Sequence, residues 1–149
     1  LNLKIKNRES FRPFAPAVLE EDVHLYFEME GNSPYMLQVH PLKKSHLRPV
    51  PDGYPASSIQ DKLYTVKSTI PAVTHVDFSA RIQTVNENQH PLFWKLIHTY
   101  KQISGVSMIV NTSFNVKDEP IVCTPEDAYN CFMKTGMDIL VVENYIFYK

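Results

Sequence analysis

Uncharged polar side chains follow directly on an apolar run near residue 110. The run at residues 108–110 predicts a buried strand, and the hydroxyl and amide groups after it belong to Asn111, Thr112, Ser113 and Asn115. At the carboxyl end of a strand, such groups lie at the mouth of a crevice, where α/β proteins bind ligands. They offer hydrogen bonds without a charge, so they suit an anionic ligand whose charge is neutralised by other residues. The alternative is a polar turn that only ends the strand.

Cationic side chains are clustered in the first twelve residues, at Lys4, Lys6, Arg8 and Arg12. If this segment is extended, Lys4, Lys6 and Arg8 point to one face, because strand side chains alternate. Arg binds phosphate through paired hydrogen bonds, and Lys supplies a compact charge. Together with the polar residues after the strand, these cations predict half of an oxyanion or phosphate site. The alternative is a solvated basic surface.

The composition restricts the class of protein. The 149 residues are 44% hydrophobic, which predicts a single domain, 1–149, around one core. A net charge of −1 gives no overall field that would attract nucleic acid or a membrane surface. The four glycines form no phosphate-binding loop, so a nucleotide must be held by side chains. Cys123 and Cys131 lack metal-binding spacing, and we expect two reduced core thiols in a cytoplasmic protein.

Strand and helix patterns alternate along the chain, which predicts a mixed α/β or α+β fold. Strands are predicted at residues 14–19, 35–42, 80–85, 108–110 and 139–147, with a further extended piece earlier within residues 73–85. Helices are predicted at residues 20–27, from residue 91 to Gly105, and from Thr124 to Gly136. Residues 43–70 have no sustained period and are expected to be irregular. The helix before Gly105 should bury one apolar face, made of Leu92, Phe93, Leu96, Ile97, Tyr100 and Ile103.

Three long motifs, at residues 6–16, 71–85 and 111–122, occur in order along the chain. Together they resemble the C-terminal region of NodU/CmcH-type carbamoyltransferases, over nearly the whole chain. That region is a YrdC-like α/β domain, with a twisted mixed sheet and flanking helices. Its Lys-x-Arg and Ser-x-Asn signatures correspond to residues 6–8 and 113–115.

The resemblance implies a reaction. A YrdC-like domain would combine ATP, with Mg²⁺, and carbamate released from carbamoyl phosphate into carbamoyl adenylate. An actin-like N-terminal domain of the same polypeptide, carrying a further metal, would pass the carbamoyl group to a hydroxyl of a small-molecule acceptor. The family carries an Arg-bearing segment before the position of Leu1, so this chain is expected to be truncated on that side.

The resemblance also implies roles for individual residues. Phosphates and the carbamoyl group would be held by Lys6, Arg8, Arg12 and Arg81, and the adenylate would be oriented by Asn111, Ser113 and Asn115. The catalytic set is Lys6, Arg12, Arg81 and Ser113, with Arg81 expected close to Ser113 and to the first twelve residues. We expect Lys6, Arg81 and Ser113 to contribute to activity rather than to stability.

Three positions depart from the family pattern. Glycines expected near Phe78 and Asp118 are replaced, as is a proline near Ser107. These changes concern the shape of loops rather than the polar ligands.

Other constellations allow different interpretations. His75 and Asp77 could bind a metal or exchange protons, although a structural role is favoured because no third ligand has matching spacing. Cys131 could be a nucleophile but is expected in the core. A nucleic-acid-binding module without catalysis is the alternative function, with a possible phosphate track at Lys43, Lys44, His46, Arg48 and Lys62. A docking domain that has lost activity is a third possibility.

Overall fold

The apolar run after the basic segment forms the centre of a four-stranded sheet. The computed structural model describes all of residues 1–149, and β1 (Ala15–Leu19) is buried along its whole length. It pairs in parallel with β3 (Ser79–Val85) and antiparallel with β4 (Met108–Asn111). The outer strand β2 (Gln38–Pro41) is antiparallel to β3, and the order is β2-β3-β1-β4. The continuous apolar run of β1 suits a strand that is covered on both faces.

The two faces of this sheet pack against different partners. On one face Val18, Ala80 and Ile82 contact Phe27, which follows the short helix α1 (Val23–Tyr26). On the other face Leu19 and Val85 contact Ile97 of α3 (Pro91–Ser104). The connection between β2 and β3 contains three short 3₁₀ turns and the helix α2 (Ile59–Tyr64). Strands and helices of this unit, residues 13–112, thus enclose two apolar clusters.

Residues 1–12 and 113–149 form a second unit. Its helix α4 (Pro125–Lys134) begins at Thr124, whose hydroxyl accepts from the Asp127 amide while Asp127 accepts from the Thr124 amide. Such a capping box satisfies amides that the first helical turn leaves unpaired. A hairpin of β5 (Ile139–Val142) and β6 (Tyr145–Tyr148) follows. Its hydrophobic cluster is formed by the buried residues Ala128, Phe132 and Leu140.

The mixed α/β prediction is confirmed, and several element boundaries are corrected. The strand predicted at residues 35–42 is limited to Gln38–Pro41. The further extended piece predicted within residues 73–85 does not form a strand, since Val73 ends the 3₁₀ turn Pro71–Val73 and β3 begins only at Ser79. The last strand divides at residues 143–144 into β5 and β6. None of the helices is both long enough and apolar enough to span a bilayer. That residues 1–149 constitute one domain stays a prediction.

The predicted inner face of α3 is wrong in part. Ile97 is buried, but Leu92 and Ile103 are 85% and 82% exposed. Polar contacts fix the rotation of the helix, because Trp94 donates to Glu21 and Lys101 donates to Asp22 at 2.6 Å. The side of the helix around Trp94 and Ile97 therefore faces the sheet.

Candidate anion-binding site

The sequence argument took the basic segment to be extended. The segment instead forms a π-helical turn over Asn2–Lys6. The Lys6 amide donates to the Leu1 carbonyl, which is the spacing of a π-helix. In this wide turn Asn2 and Lys6 are only 7% and 4% exposed, whereas Lys4 faces solvent. The prediction that Lys4 points to the same face as Lys6 is therefore wrong, and Lys6 is the cation that turns inward.

The Lys6 ammonium is surrounded by neutral oxygens of residues 113–115. Its Nζ donates to the Ser113 carbonyl at 2.7 Å and to the Asn115 carbonyl at 2.6 Å. It also contacts Asn115 Oδ1 at 2.8 Å and Ser113 Oγ at 3.3 Å. Burial, and then the charge of Arg8, lower the pKa of Lys6 from its ordinary value. A buried positive charge is thus solvated by the protein, and no carboxylate is among these partners.

Residues 113–122 are folded around that ammonium. Ser113 Oγ donates to Asn115 Oδ1 at 2.6 Å, and Asn115 Nδ2 donates to the Glu119 carbonyl at 2.8 Å. The Lys117 amide donates to the Lys6 carbonyl at 3.0 Å. Both the backbone and the side chain of Lys6 therefore hold this loop, and the two signatures of the sequence meet as predicted.

Asn2 is a positioning residue that the sequence reasoning missed. Its Nδ2 donates to the carbonyls of Ser10 and Arg12 at 3.1 and 2.7 Å, and its Oδ1 accepts from Arg8 Nε at 2.8 Å. It thereby fixes the backbone of residues 10–12 and the direction of one guanidinium. The only sequence signal for this role is an asparagine four residues before Lys6. It can be recognised only when the π-helical turn is known, because that turn buries both side chains.

A pocket with a volume of about 230 Å³ opens beside these groups. It is lined by the cations Lys6, Arg8, Arg12 and Lys117, the carboxylates Glu9 and Asp118, and the residues Ser113, Asn115 and Val116. Four cations against two carboxylates leave an excess of two positive charges. Glu9 is engaged by Arg12 at 3.3 Å. The pocket therefore suits a small anion with several oxygens, such as a phosphate or pyrophosphate group.

The two replaced glycines correspond to strained backbone. Phe78 and Asp118 have φ angles of 65° and 66°, in the left-handed region that glycine occupies at least cost. Phe78 packs on the Tyr54 ring with centroids 5.6 Å apart. Asp118 lines the pocket, so its replacement of glycine affects both the loop and the local charge.

Asn111 and Arg81 lie in the unit of residues 13–112. Asn111 ends β4, and its Nδ2 donates to Gln83 Oε1 on β3. Arg81 is exposed on β3, two residues before Gln83, so the side chains of Arg81 and Gln83 point to the same face of the sheet. Asn111 and Arg81 therefore share that face. That they belong to one site with Lys6 and Ser113 stays a prediction.

The other constellations have local structural contacts. Asp77 accepts from the amide and hydroxyl of Ser79, and His75 Nδ1 lies 3.2 Å from that hydroxyl. The hydrogen bond from the Ser79 side chain is the main cause that lowers the pKa of Asp77. No group of three His, Cys, Asp or Glu side chains could hold a metal ion. These contacts support the structural interpretation of His75 and Asp77.

The thiols and the possible phosphate track are also placed. Cys131 is buried, as expected, and burial raises the pKa of its thiol, whereas Cys123 is exposed rather than in the core. In the track, His46 stacks on Tyr26 with ring centroids 5.1 Å apart, and Lys62 donates to the Pro55 carbonyl at 2.7 Å. Two of the five track residues are thus engaged within the protein.

A mixed sheet with flanking helices defines an α/β protein, and its pocket is lined mainly by cations. The chain belongs to the family described as Carbamoyltransferase C-terminus, which matches residues 1–149. This membership confirms the resemblance and makes the chain a domain of an enzyme family.

Three relatives of this chain are much longer proteins. The chain is similar along its whole length to an uncharacterized protein of Synechocystis sp., with 50% identity and 24% of that protein covered. Over the whole chain it is 37% identical to Nodulation protein NolNO of Sinorhizobium fredii, covering 19% of it. It is 30% identical to 3'-hydroxymethylcephem-O-carbamoyltransferase of Amycolatopsis lactamdurans, over 93% of the chain and 22% of that protein. The chain thus spans about a quarter or less of the length of these relatives.

Proposed function

We propose that this domain forms carbamoyl adenylate for an O-carbamoyltransferase, using ATP and carbamoyl phosphate. The observation that carries the proposal is the buried Lys6 ammonium, whose partners are all neutral oxygens, at a pocket with an excess of two positive charges. A buried charge is costly unless it is compensated. Neutral oxygens solvate the ammonium without neutralising its charge, so the phosphates of ATP would supply the opposite charge, and family membership supplies carbamoyl transfer as the class of reaction.

The size of the pocket favours an oligophosphate over a whole nucleotide. Its volume of about 230 Å³ is smaller than the roughly 300–1,000 Å³ of sites that enclose drug-sized ligands. The phosphates would therefore enter it, and the nucleoside would lie outside. Arg81 and Asn111, which share a face of the four-stranded sheet, are proposed to hold the remainder of the nucleotide and the carbamoyl group.

The proposed reaction has three steps. Carbamoyl phosphate is hydrolysed to carbamate and phosphate, and a carbamate oxygen attacks the α-phosphorus of ATP while pyrophosphate leaves. An acceptor hydroxyl then attacks the carbamoyl carbon, which releases AMP and the carbamate ester. Lys6, Arg8 and Arg12 would neutralise the charge that accumulates on the phosphates, and Ser113 and Asn115 would orient them. This is catalysis by positioning and electrostatics, without a protein nucleophile.

Mg²⁺ would reach the site on the phosphates of ATP. The pocket offers two carboxylates, Glu9 and Asp118, and no cluster that could hold the ion alone. This donor set fits an ion that is bound mainly by phosphate oxygens and water. Bound there, Mg²⁺ would neutralise phosphate charge, and the protein would supply the orientation.

The rest of the polypeptide would complete the transfer. An actin-like N-terminal domain with its own metal is proposed to bind the acceptor, a small molecule with a hydroxyl group. The similarity to a 3'-hydroxymethylcephem-O-carbamoyltransferase supports a hydroxyl acceptor.

Exchange of pyrophosphate into ATP tests this proposal. The full-length protein should incorporate labelled pyrophosphate into ATP only when carbamoyl phosphate is present, because adenylate formation is reversible. Replacing Arg12 by Gln should reduce the exchange, whereas replacing the exposed Arg48 by Gln should leave it unchanged. An intact full-length protein that shows no exchange above background would contradict the adenylate mechanism.

A further inference from the structure

The β5–β6 hairpin presents an apolar face to solvent. Ile139 pairs with Tyr148 and Val141 pairs with Ile146, so these four side chains lie on one side of the hairpin. They are 53%, 70%, 63% and 55% exposed, in that order. The other side packs on α4, where Leu140 joins the core and Phe147 contacts Tyr129 with ring centroids 6.0 Å apart. Both sides of the hairpin are thus apolar, and only one is covered within the chain.

Such a face is unusual for a hairpin in water. Antiparallel strands with one solvated face normally alternate apolar and polar residues, and directly opposed side chains lie within about 4.5–5.5 Å of each other. The four residues therefore form one contiguous patch without a charge. Two-stranded sheets are only marginally stable alone, and exposed apolar patches mark surfaces that another element covers.

The position of Leu1 indicates which element can reach this patch. Residues 1–12 belong to the same unit as the hairpin. The Gly136 amide donates to the Lys4 carbonyl at 3.3 Å, three residues before β5 begins at Ile139. Polypeptide that joins the chain at Leu1 therefore enters near the base of the hairpin. Leu1 and Leu3 at this end of the chain are also apolar and exposed.

In the relatives, a long stretch of polypeptide precedes the part that matches this chain. The chain covers 24% of the Synechocystis sp. protein, and the matched family is a C-terminal one, so most of such a protein precedes it. We propose that a segment preceding Leu1 in the full-length protein packs an apolar strand or helix face onto Ile139, Val141, Ile146 and Tyr148. This inference does not depend on the chemistry proposed above.

A second copy of the chain fits less well. Four half-exposed side chains offer on the order of 500 Å² per copy, so a symmetric contact would bury about 1,000 Å², below the roughly 1,200–2,000 Å² of stable interfaces. A segment of the same polypeptide needs less area, because the covalent link gives it a high effective concentration.

Photo-crosslinking in the full-length protein tests the proposal. Tyr148 is replaced by p-benzoylphenylalanine, and Tyr64, which is 66% exposed on α2, is replaced in the same way as a control. At low protein concentration, the probe at position 148 should crosslink within the same molecule to residues that precede Leu1. Crosslinks between molecules, crosslinks confined to residues 1–149, or a yield no higher than that of the control would overturn the proposal.

A pair of charge substitutions checks that the apolar face makes the contact. Ile146→Lys places a charge on the patch, whereas Asn144→Lys places the same charge in the turn of the hairpin. In the Tyr148 probe background, Ile146→Lys should lower the crosslink yield at least about fivefold, and Asn144→Lys should leave it within about twofold. Circular dichroism confirms that both proteins are folded. Equal yields from two folded proteins would overturn the proposal.

Discussion

The substitution Lys6→Met separates the two roles that the structure gives to Lys6. Methionine keeps most of the apolar stem but removes the ammonium, which donates to two backbone carbonyls and to the Asn115 side chain. Asn115 Oδ1 would keep the hydrogen bond from Ser113 Oγ. The carbonyls of Ser113 and Asn115 would each lose a charged donor. These contacts lead us to expect that Lys6 contributes to stability as well as to activity, because its ammonium organises the loop.

The magnitude follows from those lost contacts. A hydrogen bond to a charged group contributes about 1.5–3 kcal/mol, but Lys6→Met also removes the cost of burying the ammonium. We expect a net loss of about 2 kcal/mol in the free energy of unfolding, or roughly 4–8 °C in Tm for a chain of this size. Lys4→Met is the matched control, since Lys4 belongs to the same turn but faces solvent. It should change Tm by less than about 1 °C, as surface substitutions do.

Thermal unfolding with and without pyrophosphate is the assay. A ligand at a hundred times its Kd stabilises the folded state by about 2.7 kcal/mol, so pyrophosphate should raise the Tm of the unsubstituted protein and of Lys4→Met. Lys6→Met should unfold at a lower temperature and gain much less from pyrophosphate. If Lys6→Met and Lys4→Met had the same Tm, the ammonium would not organise residues 113–115 and the structural reasoning would be refuted.

Substitutions at three further positions test other features of the site and fold. Asn2→Ala should lower stability by about 2 kcal/mol and weaken pyrophosphate binding in calorimetry, because Asn2 fixes residues 10–12 and orients Arg8; unchanged binding would exclude a positioning role. Asp118→Gly should raise the free energy of unfolding by about 0.5–1 kcal/mol, and with it the urea midpoint, since φ is 66° there. Asp118→Asn should tighten pyrophosphate binding without that gain; equal midpoints for the two variants would count against backbone strain. Burial opposes the ionisation of Asp22, but hydrogen bonds from Lys101 and Ser107 outweigh it and lower its pKa. The unfolded state then binds the proton more readily, so the contribution of Asp22 to stability is present above about pH 4 and is lost as the pH falls through the folded pKa. In urea unfolding, the free energy of unfolding should therefore fall less between pH 6 and pH 3 for Asp22→Asn than for the unsubstituted protein. Identical losses in the two proteins would contradict the assignment.

Local patterns predicted much of the fold. The apolar run of β1, the capping residue Thr124 of α4 and Gly105 at the end of α3 are signals that act within a few residues. The predicted rotation of α3 about its axis was wrong in part, because the rotation depends on the distant partners Glu21 and Asp22. Amphipathic spacing on a helix does not show which apolar stripe a sheet will cover.

The candidate site was predicted in its residue types but not in its geometry. Lys6, Ser113 and Asn115 were chosen for their chemistry and for the family signatures, and they do meet. The inward direction of Lys6 and the role of Asn2 follow from a π-helical turn, which no alternation rule describes. The missing family glycines at Phe78 and Asp118 did indicate unusual backbone, and both positions have positive φ.

Isotope transfer tests the proposed adenylate most directly. Carbamoyl phosphate labelled with ¹⁸O at its carbonyl oxygen is given to the full-length protein with ATP and a hydroxyl acceptor. If a carbamate oxygen attacks the α-phosphorus, that oxygen stays on phosphorus when the acceptor attacks carbon, and ¹⁸O appears in AMP. Lys6→Met should abolish this labelled AMP, and Lys4→Met should retain it. Carbamoylated acceptor formed without labelled AMP would contradict the account, because the carbamoyl group would then have been transferred without an adenylate.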